Sequence, residues 1–162
     1  MALLQTSNSS KGIFPGVAAQ GAEVMWLMEE VTVSTAPSAN DTFKVLPIPS
    51  DHVVTEVILS ATDMDTGIAT LTLSVGVLNA AGTDLLTDAD SGSGVWITSS
   101  IAAQGGTLTR TGGASATDRF ITYMKPTLAE RHIGVKVIVG AATFAAGTFR
   151  LQAAYRASRY GK

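Results

Sequence analysis

Cysteine is absent from the 162 residues, which removes disulfide scaffolds, thiol nucleophiles and thiolate zinc sites together and leaves the redox compartment open. Charge is scarce: Asp, Glu, Lys and Arg make up 15% of the chain, against about a quarter in an average soluble domain. Such a chain is neither a charge-rich disordered polymer nor a heptad coiled coil. Aromatic residues reach only 6%. No window approaches the eighteen or so consecutive apolar residues of a membrane-spanning helix. A net charge of −2 and a pI of ≈ 5.6 lack the basic footprint of general nucleic-acid binding. Neither a membrane nor a nucleic acid is therefore expected as a partner. At the N-terminus a Leu3-Leu4 pair precedes the polar run Gln5 to Ser10, which lacks the apolar core of a secretory signal. The protein is expected to stay in the compartment where it is made, or to leave by another route.

What the chain does contain is 46% hydrophobic residues, 16 glycines and abundant Ala, Thr and Ser, with a mean hydropathy of +0.28. One domain of this length buries roughly two-thirds of its unfolded surface in a single core. A surface of small, neutral residues can be covered by a neighbour with little desolvation of charge, which suits a subunit of an assembly. Residues 1–21 show no sustained apolar periodicity and are punctuated by Gly and Pro, so they read as an extended arm. Its Ile13-Phe14 pair is an apolar peg if the arm docks on a neighbour; plain disorder of a terminus is the alternative. Residues 22–162 read as an all-β domain with a short basic tail.

Within that domain, short alternating runs are bounded by Gly, Pro, Asn and Asp. In Thr70 to Val77, Leu71, Leu73, Val75 and Val77 fall on one face, with Gly76 marking a bulge or a close backbone approach. Ile133, Val135, Val137 and Val139 repeat the pattern, as do Phe149, Leu151, Ala153 and Tyr155. Further strands are expected over Val24 to Thr35, Thr42 to Leu46 (ended by Pro47 and Pro49), His52 to Thr62, Thr107 to Thr111 and Asp118 to Met124. Helical patterning is confined to Val95 to Gln104, whose Thr and Ser favour a loop, and to Pro126 to Arg131. The sum is a single β-sandwich or jelly-roll-like barrel of seven or eight antiparallel strands. Val75 to Thr83 and Val139 to Thr148 look alike and read as two hairpins turning on Ala-Ala-Gly-Thr.

Chemical motifs are weak. Asp65-Thr66-Gly67 is the tripeptide of aspartic proteases, and Val137 to Gly140 resembles their apolar-apolar-Gly element. Yet Asp63 would add charge to a dyad whose pKa values depend on its surroundings, and a turn is the favoured reading. Asp63-x-Asp65-x-Gly67 and Asp88-x-Asp90-x-Gly92 open like calcium loops but lack the closing Glu, with Ser74 and Ser99 in its place. His52 and His132 are too few for a histidine zinc site. The pairs Gly105-Gly106 and Gly112-Gly113 lack phosphate-loop spacing. No catalytic residue, metal or cofactor is assigned. Arg150 and Arg156 lie on the polar face of the last strand, and Arg159 and Lys162 follow with no acid after Glu130. They either pair with acidic loops of a neighbour or form a solvated edge.

The segments Val57 to Gly67, Ala69 to Gly76 and Ala145 to Leu151, with Tyr155-Arg156, resemble the small all-β head decoration, or cement, proteins of tailed bacteriophages. The resemblance spans about Val24 to Arg156. It implies a non-enzymatic virion protein, often a homotrimer, on the outside of the capsid after assembly in the host cytoplasm. There it clamps neighbouring major capsid protein subunits. On this reading the first binding element is the arm, with Leu3, Leu4, Ile13 and Phe14. Arg150, Arg156 and Arg159 are the second. A tail-tube or other phage structural subunit is the alternative, and an aspartic-type protease the most distant.

Overall fold

The computed structural model describes residues 3–5, 24–50, 52–86, 94–111 and 130–157. Nine strands occur there: β1 (Leu3–Gln5), β2 (Met25–Val33), β3 (Thr42–Ile48), β4 (His52–Ala61), β5 (Thr72–Val77), β6 (Val95–Ser100), β7 (Leu108–Arg110), β8 (Arg131–Val139) and β9 (Gly147–Ala157). A single 3₁₀ turn, Ala102–Gln104, lies between β6 and β7. One sheet runs β1-β3-β8-β5-β6 and the other β2-β9-β4-β7. Successive strands from β2 onward change sheet at every step but β5 to β6. With β1 set aside, this is the eight-stranded, two-sheet jelly roll, so the sandwich and jelly-roll expectations are met by one architecture. β9 lies in the interior of its sheet, pairing with β2 on one side and β4 on the other.

The core forms where the alternating faces meet. Val57 and Leu59 of β4 and Phe149, Leu151, Ala153 and Tyr155 of β9 come from one sheet, and Leu73, Val75, Val77, Ile133, Val135 and Val137 from the other. Burying each large side chain is worth about 1.5–3 kcal/mol. Phe43 and Phe149 join the layers edge to face, their centroids 5.1 Å apart.

Three expectations require correction. Val95 to Ser100 is a strand, with only Ala102–Gln104 helical. Its alternation is hidden by two register shifts against β5 and by Ser99, whose φ is 51°. The stretch Val139 to Thr148 is no hairpin, because β8 and β9 belong to different sheets; it is a crossover. Pro47 does not end β3, which continues to Ile48. There β1 pairs only Thr42 to Lys44, so among the described strands no ladder on that edge asks Pro47 for an N–H. Of the expected arm, residues 3–5 are described, and Leu3–Gln5 runs extended and parallel to β3. The expected strand Asp118 to Met124, most of Pro126 to Arg131, the Asp88/Asp90 loop and Gly112-Gly113 lie outside the described residues.

Candidate interaction surfaces

The Asp65-Thr-Gly turn joins β4 to β5, and its carboxylate is 2% exposed. Asp65 Oδ2 accepts N–H bonds from Thr70 (2.6 Å) and Leu71 (2.8 Å), and the Thr70 hydroxyl, 3.3 Å away, has its nearer acceptor in the Gly140 carbonyl at 2.8 Å. Oδ1 accepts the N–H of Thr143, 3.1 Å away in the β8–β9 crossover. The Thr70 N–H, followed by those of Leu71 and Thr143, outweighs burial and draws the carboxyl down to about 2 from 3.8. Asp63 Oδ1 in turn accepts the Asp65 N–H at 3.1 Å. Both acids thus serve the turn, and the Asp65 carboxylate faces peptide donors rather than a cleft.

On the outer face of the five-stranded sheet, the loop after β5 folds back over β3 and β8. Leu78 fills the space left by Gly134, Thr42 Oγ1 donates to the Gly82 carbonyl at 2.7 Å, and Lys136 Nζ meets Asp84 Oδ1 at 2.7 Å. Beside this loop lies a cavity of ≈ 550 Å³ whose lining includes Lys44, Glu130, Arg131 and His132. Burial, followed by the Lys44 charge, lowers His132 to about 4, although Glu130 Oε1 stands 3.2 Å from its Nε2. That half-exposed carboxylate does not offset the desolvation of an imidazole whose side chain is 12% exposed. His52, on β4, donates from Nδ1 to the Ser50 carbonyl at 2.9 Å. Among the described residues no group of three or more His, Cys, Asp or Glu could hold a metal.

The outer face of the four-stranded sheet differs from the polar face expected for the last strand. Arg150 is there, exposed, its Nε bonded to Glu30 of β2 in register across the ladder. Arg156 is exposed on the same face near the other end of β9. Between and beside them stand Trp26 (46% exposed) and Met28 (55%), with Leu108 (60%) on β7. A second cross-strand ion pair, Arg110 with Glu56, flanks them. Sequence reasoning did not single out these apolar members. The signal was the unbroken run Val24 to Met28, whose apolar residues occupy both faces of the strand. Leu3 and Leu4 belong to the other sheet through β1, apart from Arg150 and Arg156 on β9. Ile13, Phe14 and Arg159 lie outside the described residues.

No protein family model matches the chain, and no curated protein does. Among solved structures it is similar to a chain in the capsid of Ralstonia phage GP4. The TM-score is 0.75 and the identity 31%, over 98% of this chain and 100% of that one. The chain belongs to a family of phage capsid proteins. A chain of the cyanophage Pam1 capsid asymmetric unit shares the fold, with a TM-score of 0.61 and 23% identity over 88% of this capsid protein and 89% of the other. On this capsid protein Trp26, Met28 and Leu108 stand in solvent on the outer face of the four-stranded sheet.

Proposed function

We propose that this capsid protein is a non-enzymatic decoration subunit that binds the outside of the shell and cements neighbouring major capsid protein subunits, as a homotrimer. The observation that carries the reading is the end-to-end likeness to a chain of a phage capsid. In support, the chain is small and poor in charge and has an apolar sheet face rimmed by ion pairs, the composition of a surface that binds by area. Many weak contacts repeated by symmetry then resist internal pressure. The arm, from Leu3 and Leu4 to Ile13 and Phe14, is the first contact element. Arg150, Arg156 and Arg159 are the second.

Quantitative mass spectrometry of purified particles tests this by counting copies against the major capsid protein. A ratio of the same order, with heads lacking the protein losing heat resistance, is the expected result. A ratio far below it would place the protein in the tail, and absence from particles would remove the virion role.

A further inference from the structure

The connection from β4 to β5, residues 62–71, contains no Lys, Arg, His or Glu. Its two aspartates are turned onto backbone N–H groups: Asp63 onto Asp65, and Asp65 onto Thr70, Leu71 and Thr143. At its tip Ile68 is 84% exposed, more than any other large apolar side chain among the described residues. The turn that carries it is fixed to its surroundings. Thr66 N–H donates to the Thr143 carbonyl (3.1 Å), Ala145 N–H to Met64 (3.1 Å) and Met64 N–H to Ala103 (2.8 Å). An exposed isoleucine on so fixed a turn loses little entropy on docking, which is the property of a binding anchor.

A receptor for such a side chain lies on the same chain. Where β4, β7 and β9 meet at one end of the outer face of the four-stranded sheet, a hollow of ≈ 320 Å³ is lined by Ala61, Thr62, Gly106, Thr107, Thr148 and Leu108. These are small or aliphatic side chains, and Leu108 at 60% exposure adds apolar surface. Thr62 Oγ1 donates to the Thr148 carbonyl (3.2 Å) and accepts the Thr148 N–H (2.9 Å), and the Thr107 carbonyl accepts the Ala61 N–H (3.2 Å). The hollow's one charge, Arg150, is bonded to Glu30. An apolar side chain seated there displaces water and leaves those bonds intact. Ile68 does not fill the hollow of its own chain, since it stands in solvent.

We infer that Ile68 of one copy seats in the hollow between β4, β7 and β9 of a second copy. Charge selects this receptor. The cavity beside the loop after β5 is lined by Lys44, Glu130, Arg131 and His132, charges that an isoleucine would desolvate without compensation. The hollow at Thr62 and Thr148 asks no such cost, because its polar groups named above are paired and its arginine has a carboxylate. Tip and hollow are different patches of one surface, so a copy that gives its tip to one neighbour still offers its hollow to another. Such a contact repeats head to tail until a ring closes. It supplies the joint between copies in the homotrimer proposed above, and it rests on that reading.

The chain has no cysteine, so introduced thiols report a contact without background. Full-length Ile68→Cys and Thr107→Cys are prepared separately, mixed in equal parts and oxidised, both in solution and on purified heads lacking the native protein. Both side chains are exposed, so the fold is expected to survive, and circular dichroism and melting are run in parallel. The expected result is a disulfide-linked pair that forms in the mixture and in neither variant alone. Ile68→Asp is expected to raise the concentration at which copies associate at least about tenfold, with its melting unchanged. Linkage of Ile68→Cys to itself without the mixed pair would place two tips together and overturn the inference, as would association of Ile68→Asp equal to wild type. No mixed pair, in solution or on heads that retain both variants, overturns the inference and leaves the capsid role standing. A mixed pair from a protein that does not bind heads supports the contact and overturns the decoration role.

Discussion

Asp65 stakes its ionised form on three backbone N–H donors, and this makes acid a specific stress. Between 3.8 and about 2 the unfolded chain takes up a proton that the folded one refuses, so the stabilisation is complete above pH 3.8 and is lost as the pH falls toward 2. Melting temperature is expected to drop over that window in the wild type. Asp65→Asn should melt lower at pH 7, because an amide cannot accept all of those bonds, and should show a shallower acid limb. His132 works in the same direction at higher pH. Its folded value of about 4 lies below the ordinary 6.5, so the unfolded chain binds the extra proton and stability declines as the pH falls from 6.5 to 4. His132→Gln is expected to flatten that part of a urea-midpoint profile. A titration of the His132 ring by NMR with a midpoint near 6.5 would contradict this account.

At the level of strands and loops, glycine sets two close approaches. A Cβ on Gly134 would overlap Leu78, which is 4% exposed beneath its own loop. Gly134→Ala is therefore expected to cost about 1–3 kcal/mol by overpacking. Pairing it with Leu78→Ala should recover part of that loss in a double-mutant cycle, whereas simple additivity would show that the two do not meet. Gly76 faces backbone instead: the Gly94 carbonyl oxygen lies 2.9 Å from where a Cβ would sit, at a register shift between β5 and β6. That approach was legible in the chain, because a glycine interrupts the polar face of a clean alternation. The alternating runs of β5, β8 and β9 were legible for the same reason, as each buries one side. β6 was not, since its bulges destroy the period that identifies a strand. Nor could the crossover at Val139 to Thr148 be told from a hairpin, because sheet membership is decided by distant partners. The turn character of Asp65 was readable from Asp and Gly, but its grip on Thr143, across a sequence gap of 78 residues, was not. The run Val24 to Met28 shows that both faces of the strand carry apolar side chains, but not that Trp26 and Met28 are the outward ones.

For the molecule as a whole, the jelly roll is complete without its first strand. β1 adds three residues at a sheet edge. Removing residues 1–12 is expected to leave circular dichroism close to wild type while reducing retention on heads; loss of the folded spectrum, or full retention on heads, would count against the arm as a contact element. The last strand is another matter. β9 is made after every other described strand, yet it lies between β2 and β4 and supplies Phe149, Leu151, Ala153 and Tyr155 to the core. A chain interrupted anywhere before Gly147 leaves β2 without the neighbour that holds it and the sandwich open on one side. Vectorial synthesis thus withholds the closed sandwich until β9 has been made. Partial translation products lack the assembled surface with which to compete for places in a growing particle.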